Sequence, residues 1–501
     1  MSLLAVDVGS SACKAVVFAA DGKTLDQHSV SYTPQFPRPS FAEMNPGTFW
    51  DAVCCCCRTV CKDLNDPVRA LALSSHGETL VPVDAHGTPV GNAILNQDSR
   101  AIDQSKWCEE VIGRVRLFQI TGLFAHPMYP IPKILWLRSH EPATFAATKC
   151  FLSLIGFLLQ KMGLPPYVDY SLASRFLAFD VCRRSWSDEI LSAVETNKEC
   201  LPIPVPAGTI AGKLNPETAA QLGLAPATPV VLGGHDQPCG ALGSGVIGGG
   251  RVSDSMGSYE CLVAASDAPV LSTTALAASL NSYCHVVPDK FVTLAYFPSG
   301  IMVKWFHDLL YANGSGESSA KARPETFESS HYAFLEAHVP AGPTGLCVTP
   351  HLIGTCNPEF NPRARAVIAG LGSSTDGAQI YKGILEGLAC ELSIVANTLA
   401  EAVGGFQDIY VSGGGTRSAL GLQLRAALTG CRLHVMSRQE AVCLGTAILA
   451  GCAIGEYASL PQAFAALVKE RVVVAPDPEI AASYQSQLKR YKNLRCVSVQ
   501  T

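Results

Sequence analysis

The segment VVLGGHDQP, residues 230–238, constrains the fold more than any other part of this chain. Its aliphatic start is typical of a strand that is buried on both faces of a sheet. Gly233 and Gly234 allow a sharp turn and a close approach of other atoms. Asp236 follows where the strand ends and a helix begins, at about Gln237. Ligands bind at such points in open α/β sheets, so the segment predicts an α/β fold with a site at Asp236.

Asp236 also has a purely structural interpretation, as the N-cap of the helix that follows it. Asp is common at N-caps, and Pro238 fits the first turn of a helix. The segment alone favours neither the cap nor a functional carboxylate. In either case the N-terminus of the helix would help to keep Asp236 ionised.

Composition excludes several classes of protein. The 501 residues predict two to four domains, with 48% hydrophobic and 16% charged residues. A net charge of −5 without a run of Lys or Arg argues against a nucleic-acid or anionic-membrane partner. Asp7 interrupts any signal-peptide core, and the longest apolar run, residues 150–159, is too short to span a bilayer. We therefore expect a cytoplasmic protein without a membrane partner.

The 20 cysteines are spread through apolar segments, as expected of buried, reduced side chains. Cys54–Cys57 form a cluster with a single CxxC spacing and no second pair at metal-ligand spacing nearby. The cluster lies in a helix that we predict to begin near Thr48. We expect a structural role for it, and metal or redox chemistry is the less favoured alternative.

A Gly/Ser turn joins two apolar strands near the start of the chain. This first Gly/Ser turn, residues 9–11, offers backbone N–H groups and the hydroxyls of Ser10 and Ser11 to an anion. Asp7 could hold Mg²⁺ through water, and Lys14 adds positive charge for a phosphate. The spacing is not that of a Walker A loop, and an ordinary hairpin with a solvated Asp is the alternative.

Residues 251–263 repeat the plan of strand, turn and strand, with a second Gly/Ser turn at Gly257 and Ser258. The repeat predicts two similar halves that present their turns to a shared cleft. Later, residues 409–412 read as a strand that ends in a Gly-rich turn, residues 413–418, before a helix. Its glycines would let the backbone lie against a planar base or ribose. The expected spacing of a Rossmann GxGxxG site is absent.

Polar residues also cluster at the ends of two strands between residues 68 and 100. His76, Glu78, Asp98 and Arg100 each follow an apolar run. A polyhydroxylated ligand needs bidentate acceptors and charged donors to replace water at each hydroxyl. Any one of these residues is better explained by a loop ion pair or a cap, but together they indicate a site for such a ligand.

Taken together, these motifs resemble those of the FGGY carbohydrate kinases, members of the superfamily of sugar kinases, actin and chaperone ATPases. The resemblance extends from residue 3 to about residue 455. It implies two ribonuclease-H-like α/β domains around a central cleft. We expect an N-terminal, sugar-binding and catalytic domain at residues 1–247 and a C-terminal, nucleotide-binding domain at residues 248–501.

The resemblance also implies a role for each matching residue. Asp236 matches the catalytic base and Asp7 the acid near Mg²⁺. The residues that match ATP-binding positions are Ser10, Ser11 and Lys14 at the first turn, Gly257 and Ser258 at the second, Gly414, Gly415 and Ser418 near adenosine, and the adjacent aromatic Trp305. The residues that match substrate positions are His76, Gly77, Glu78, Asp98, Arg100, Asp236 and Gln237.

Several positions depart from the pattern of xylulokinases, the closest group in appearance. Ser75 and Asn96 stand where Met and Trp are usual, and Tyr259-Glu260 replaces the usual Ser-Gly. The resemblance implies an ATP- and Mg²⁺-dependent kinase of a small ketopentose, D-xylulose first. Glycerol, ribulose and fuculose kinases are alternatives, and a homodimer is one option for its assembly.

Two other classes of protein compete with a sugar kinase. A non-catalytic, sugar-responsive regulator would not need the complete set of Asp7, Asp236 and the Gly-rich turns. An actin-like or chaperone-type ATPase would not need the polar cluster around His76, Asp98 and Arg100. We therefore expect phosphoryl transfer to a sugar or polyol.

Overall fold

Two mixed β-sheets, one in each half of the chain, organise the protein. The structure, a computed structural model, describes residues 2–311, 325–436, 440–468 and 470–500. Each sheet is covered by helices, as an α/β fold requires.

The first half of the chain contains strands β1 to β14 and helices α1 to α10. The strands are β1 Ser2–Val8, β2 Ala12–Ala19, β3 Thr24–Ser31, β4 Glu43–Met44, β5 Val68–Ser75, β6 Val81–Val83, β7 Ala93–Ile94, β8 Cys150–Leu152, β9 Tyr167–Asp169, β10 Phe179–Asp180, β11 Ser185–Trp186, β12 Ile203–Val205, β13 Ile210–Lys213 and β14 Pro229–His235. The helices are α1 Pro46–Cys61, α2 Ile102–Ile112, α3 Arg114–Thr121, α4 Pro130–His140, α5 Pro142–Ala147, α6 Leu154–Lys161, α7 Tyr170–Ser174, α8 Asp188–Ala193, α9 Pro216–Leu222 and α10 Asp236–Gly243.

The second half contains the remaining elements. Its strands are β15 Arg251–Met256, β16 Tyr259–Ser266, β17 Asn281–Cys284, β18 Phe291–Pro298, β19 Cys347–Thr349, β20 Val367–Ala369, β21 Asp408–Ser412, β22 Arg432–Met436 and β23 Glu470–Val474. Its helices are α11 Thr273–Ala277, α12 Gly300–Tyr311, α13 Glu325–Ala337, α14 Gly377–Val403, α15 Ala419–Thr429, α16 Ala441–Ala453, α17 Leu460–Leu467, α18 Pro478–Ser483 and α19 Gln485–Gln500.

The two large sheets share one plan. The first has the strand order β3-β2-β1-β5-β14-β13, and the second contains β18-β16-β15-β21-β22-β23 with β17 added at its edge. In each, an antiparallel hairpin (β1-β2 or β15-β16) lies beside two parallel strands (β5 and β14, or β21 and β22). The prediction of two similar α/β halves is thus confirmed. The boundary between residues 247 and 248 stays a prediction.

The apolar side chains of β1, which point alternately to the two faces of the sheet, explain why this sheet is buried on both sides. Leu4 and Val6 pack into the cluster that contains α1, whereas Leu3 and Ala5 pack against α16. Successive side chains of a strand point to opposite faces, so an almost wholly apolar strand requires a helix on each face. The helix α16, late in the chain, therefore returns to cover the first sheet.

Gly445 permits the tight contact between α10 and α16. A Cβ atom at this position would lie 1.9 Å from the carbonyl oxygen of Cys239, and one on Gly243 would meet Ala441 as closely. No side chain tolerates such a distance, so both glycines are required by packing. Because α10 begins at Asp236, this contact also fixes the helix that follows the candidate site.

The cysteine cluster lies in α1, which begins at Pro46, two residues before Thr48. The side chain of Asn45 caps the helix by accepting a hydrogen bond from Gly47 N. All 20 cysteines are free, and Cys54, Cys56 and Cys57 are buried in the core, consistent with the structural role.

A glycine separates two helices in the first half of the chain. Gly113 adopts φ 87° between α2 and α3. The helix α14 is long and apolar enough to cross a membrane, but most of it is buried inside the protein, as in a core helix.

Candidate active site

Three parallel strands of the first sheet end side by side at the candidate site. Ser74 in β5 pairs with Asp7 of β1 on one side and with Gly234 of β14 on the other. The Ser74 hydroxyl donates a hydrogen bond of 3.0 Å to Asp7 Oδ1. Because the carboxyl ends of these strands share one edge, Asp7 and Asp236 are brought together there.

The pair Gly233-Gly234 makes this edge sterically possible. A Cβ on Gly233 would lie 2.6 Å from the carbonyl oxygen of Leu73. Gly234 has φ +143°, and a Cβ on it would lie 2.9 Å from Asp169 Oδ2. Larger residues would push β14 away from its neighbours and displace Asp236, so the glycines serve close approach as the sequence indicates.

The helix α10 begins at Asp236 itself, and its N-cap is His235, which makes no side-chain capping hydrogen bond. The interpretation of Asp236 as the N-cap is therefore wrong. Its side chain is 23% exposed, and His235 Nε2 lies 3.2 Å from Oδ1. This contact lacks hydrogen-bond geometry. The Oδ1 atom of Asp236 is buried, and it accepts no hydrogen bond from the residues described.

Two buried acids at this edge both have a raised pKa. Burial raises the pKa of Asp236 well above its usual value, and the charges of Asp7 and Glu78 add to the effect. The backbone N–H of Gln237 and the charge of Arg175 act in the opposite direction but do not outweigh it. Burial also raises the pKa of Asp7 to about 6. The N-terminus of the helix thus favours the ionised form of Asp236, as expected, but burial and the neighbouring carboxylates outweigh it.

Glu78 forms a buried ion pair with Arg175, a residue that the sequence did not single out. Arg175 Nε lies 2.5 Å from Glu78 Oε1, and the guanidinium packs over the rings of Tyr129 and Tyr283. Glu78 has φ 67°, and its carbonyl accepts a hydrogen bond from Lys133 Nζ. Burial acts to raise the pKa of Glu78, but Arg175 outweighs it and lowers that pKa. Glu78 thus stays ionised beside the site.

His76 and Gly77 lie next to this pair. Nδ1 of His76 lies 2.9 Å from the carbonyl oxygen of Val8, and its Nε2 lies 2.6 Å from the hydroxyl of Thr79. Both ring nitrogens therefore have protein partners. Gly77 allows the ring of His235 to approach, because a Cβ would lie 3.1 Å from His235 Nε2.

Asp98 and Arg100 bind each other. Arg100 Nη2 lies 2.8 Å from Asp98 Oδ2 and 2.6 Å from Glu43 Oε1, and Asp98 also accepts a hydrogen bond from Ala42 N. The guanidinium stacks 3.8 Å from the ring centre of Phe41. Both charges thus have partners within the protein. A contact of Asp98 and Arg100 with substrate remains a prediction.

The first Gly/Ser turn has a cation whose partner the sequence did not reveal. Ser10 is half-buried and Ser11 is exposed. Lys14 Nζ lies 2.8 and 2.9 Å from the two carboxylate oxygens of Glu440. Burial acts to lower the pKa of Lys14, but Glu440 outweighs it and raises that pKa.

The second Gly/Ser turn is anchored to the start of α12. Ser299 N donates to the carbonyl of Ser258, and Gly300 N donates to that of Gly257, both at 3.0 Å. Gly257 and Ser258 are exposed, as is Trp305 further along α12. The two elements that carry these predicted ATP-binding residues are therefore joined directly.

The Gly-rich turn packs on the strand that leads into the second Gly/Ser turn. A Cβ on Gly415 would lie 2.8 Å from Cε of Met256, whereas Gly414 faces open space. Ser418 is the N-cap of α15, since its hydroxyl accepts a hydrogen bond from Gly421 N at 2.9 Å. All the predicted adenosine residues thus lie around one end of the second sheet.

Comparison with known proteins identifies the family. Residues 2–243 match the N-terminal domain of the FGGY family of carbohydrate kinases, and residues 253–454 match the C-terminal domain of the same family. The chain belongs to the FGGY family. Its members are ATP-dependent carbohydrate kinases, so this FGGY kinase acts on a small-molecule sugar, and the predicted family and class of enzyme are confirmed.

Relatives of this FGGY kinase are similar over their full length. The xylulose kinase of Bacillus subtilis (strain 168) is 24% identical over 98% of this chain and 96% of that protein. A gluconokinase of Bacillus licheniformis is 25% identical over 98% and 95%. The crystal structure of a gluconate kinase from Lactobacillus acidophilus has a TM-score of 0.88 at 22% identity, covering 99% of this chain and 98% of that one. The predicted fold is thus confirmed.

The Lys14–Glu440 ion pair leads to a testable prediction. If Lys14 contacts phosphate as the sequence predicts, Glu440 competes with ATP for it. A partly exposed pair is worth about 0–1 kcal/mol, so Glu440→Gln should lower KM for ATP by up to about fivefold. Steady-state kinetics at saturating sugar measures this change.

The matched control is Glu189→Gln, which breaks an exposed ion pair with Arg116 on the surface. It should leave KM for ATP unchanged. A higher KM for ATP in Glu440→Gln would contradict the competition and would make Glu440 a residue that orients Lys14.

Proposed function

We propose that this FGGY kinase transfers the γ-phosphate of ATP to a hydroxyl of a neutral ketopentose, with D-xylulose as the first choice. The observation that carries the proposal is the buried Oδ1 of Asp236, which accepts no hydrogen bond from the residues described, at the edge where three parallel strands end. A carboxylate oxygen without a hydrogen-bond donor is free to accept one from a substrate hydroxyl. Asp236 then acts as the general base.

Phosphoryl transfer to an alcohol needs an aligned hydroxyl, removal of its proton and stabilisation of charge on the phosphoryl group. Asp236 accepts the proton as the hydroxyl attacks. Lys14 and the backbone N–H groups of the two Gly/Ser turns stabilise charge on the transferred group. The Gly-rich turn with Gly414, Gly415 and Ser418 holds the adenosine.

Asp7 is the residue that we assign to Mg²⁺. A cation fits this edge because the pKa of both acids is raised, that of Asp236 in part by the charge of Asp7, and because Asp236 Oδ1 accepts no hydrogen bond from the residues described. Within the described ranges no group of three or more His, Cys, Asp or Glu residues could hold a metal. Mg²⁺ is commonly held by one or two carboxylates together with substrate phosphates. When bound, it neutralises charge on those phosphates.

The charges around Asp236 favour a neutral sugar over an acidic one. The charges of Asp7 and Glu78 raise its pKa more strongly than Arg175 lowers it. Burial lowers the pKa of the nearby Lys133 to about 7, which reduces its positive charge. A carboxylate substrate would enter a region of net negative potential and would be repelled.

Gluconate is the second candidate, for one specific reason. Arg175 Nη1 is buried and has no hydrogen-bond partner among the residues described. A guanidinium N–H of this kind can bind a carboxylate or a sugar hydroxyl. Relatives named gluconokinase are also as similar to this chain as those named xylulose kinase.

A substrate panel tests the proposal. ADP release with Mg-ATP would be measured for D-xylulose, ribulose, fuculose, glycerol and gluconate. We expect stimulation by a neutral ketose, D-xylulose first, and little by gluconate. A preference for gluconate would overturn the neutral-sugar assignment. Tight sugar binding without ADP release from any of them would indicate a regulator.

A cytoplasmic location and a homodimer remain predictions.

The variant Asp236→Asn tests whether Asp236 acts as a general base or has only a structural role. The general-base contribution is typically about 10²–10⁴-fold, and we expect kcat to fall by that factor. Because Asp236 has a raised pKa, its ionised form opposes folding at neutral pH, so the Tm of the variant should be unchanged or higher. Kinetics and thermal unfolding measure the two effects.

The control is Asp376→Ala, which removes the capping oxygen of a true N-cap within a capping box at the start of α14. That variant should lower Tm and leave kcat unchanged. Near-normal turnover in Asp236→Asn would remove Asp236 from the mechanism.

The raised pKa of Asp236 also predicts the pH dependence. A base must be ionised, and protonation begins as pH falls through its folded pKa, so kcat/KM for the sugar should decline well above the usual carboxyl pKa of 3.8. More Mg²⁺ should move this decline to lower pH, because positive charge beside Asp7 favours the ionised form. A profile that is flat to about pH 4 would contradict the assignment.

A further inference from the structure

A buried carboxylate, Glu260, lies in β16, two residues after the second Gly/Ser turn. Both of its oxygens accept charge-assisted hydrogen bonds from Arg425, from Nε at 3.0 Å and from Nη2 at 2.8 Å. The hydroxyl of Ser299 donates a third bond of 2.7 Å. The Glu260 side chain is fully buried and that of Arg425 is 4% exposed, so water does not compete for either charge.

The partners of Glu260 come from the elements that carry the predicted nucleotide residues. Ser299 precedes α12, the helix of Trp305, and its backbone N–H also holds the carbonyl of Ser258. Arg425 lies in α15, and its Nη1 donates to the carbonyl of Gly421. Gly421 is the residue whose N–H is bound by the capping hydroxyl of Ser418. One carboxylate therefore connects the second Gly/Ser turn, α12 and the Gly-rich turn.

A second acid lies next to this pair and has a raised pKa. Asp254 in β15 is fully buried beside Glu260. Burial raises the pKa of Asp254 well above its usual value, and the charge of Glu260 adds to this. Burial opposes the charge of Glu260 too, but Arg425 outweighs it. Arg425 thus stabilises the negative charge of Glu260.

We propose that Glu260 is a positioning residue for the nucleotide, which holds the second Gly/Ser turn in register with the helices α12 and α15 through Ser299 and Arg425. The proposal rests on the proposed function, because it presumes that ATP binds along these turns. Glu260 itself does not touch the nucleotide. It sets the distance between the turn at Gly257 and Ser258 and the adenosine residues near Ser418.

A buried ion pair of this kind is weak evidence for stability, since apolar residues of similar volume often stabilise a protein as well or better. Such pairs do fix geometry, because both partners must meet at defined positions. The same domain provides a comparison. Glu391 and Arg495 form an equally buried pair, with 1% and 6% exposure, that joins α14 to α19. Neither partner lies on an element that carries a predicted nucleotide residue.

The experiment compares Glu260→Gln with Glu391→Gln. The affinity for Mg-ADP would be measured by calorimetry in the full chain, together with KM for ATP, KM for the sugar and Tm. Misplacement of a binding group by about 1 Å can cost about 100-fold, so we expect Glu260→Gln to weaken Mg-ADP binding by about 10- to 100-fold. KM for the sugar should stay constant. Glu391→Gln should lower Tm to a similar extent and leave Mg-ADP affinity unchanged.

Equal loss of Mg-ADP affinity in the two variants, or none in Glu260→Gln, would overturn the proposal. If Glu260→Gln does not fold, the double variant Glu260→Gln with Arg425→Met removes both charges and is measured in the same way. Arg425→Lys keeps the charge but loses the two-point contact, and it should retain an intermediate affinity. Wild-type-like affinity in the double variant would also overturn the proposal.

The measurement separates this inference from the proposed function. A wild-type protein that binds Mg-ADP but shows no sugar-dependent ADP release would contradict the proposed substrate and leave the role of Glu260 to be decided by the variants. A wild-type protein that binds no Mg-ADP would overturn both. Altered Mg-ADP affinity in Glu260→Gln with sugar-dependent turnover in the wild type supports both.

Discussion

Repulsion between buried carboxyl groups is the constraint on which this site depends. Asp7 and Asp236 lie at one edge of the first sheet, and burial raises the pKa of each, while the charges of Asp7 and Glu78 raise that of Asp236 further. Only a positive charge or a bound proton relieves that repulsion. Glu78 is relieved within the protein, by Arg175, whereas Asp236 Oδ1 has no hydrogen-bond partner among the residues described. We therefore expect a bound ligand to supply the hydrogen-bond donor or positive charge that stabilises Asp236.

Local sequence was sufficient to predict the parts of the fold and site that depend on short-range geometry. The two Gly/Ser turns and the Gly-rich turn each follow an apolar strand, and the pair Gly233-Gly234 lies near the end of β14; such local geometry is set by adjacent residues. The limits of helices were less accurate. Asp236 proved to be the first helical residue and not the cap, because capping depends on one φ/ψ pair that the residue type does not determine.

The residues that complete the site could not be predicted, because their partners are distant in the chain. Arg175 lies 97 residues from Glu78, Glu440 lies 426 residues from Lys14, and Arg425 lies 165 residues from Glu260. A charged residue in a helix or loop looks the same in sequence whether it is solvated or paired. The same limit applies to Asp98 and Arg100. The sequence does not show that they bind each other and Glu43, and their contact with a substrate stays a prediction.

The two halves of the molecule share one strand plan, but the ion pairs beside their Gly/Ser turns differ in exposure. The Lys14–Glu440 pair at the first Gly/Ser turn is 37% and 27% exposed, and such a pair is worth about 0–1 kcal/mol. It can exchange partners readily. Removing one partner of a fully buried pair such as Glu260–Arg425 typically costs about 3–5 kcal/mol, so that pair stays fixed. In a phosphoryl transfer the γ-phosphate changes partner while the rest of the nucleotide does not. Lys14 at the first turn, with its exchangeable partner, would suit the γ-phosphate. The fixed Glu260–Arg425 pair behind the second turn would suit the part of the nucleotide that keeps its contacts.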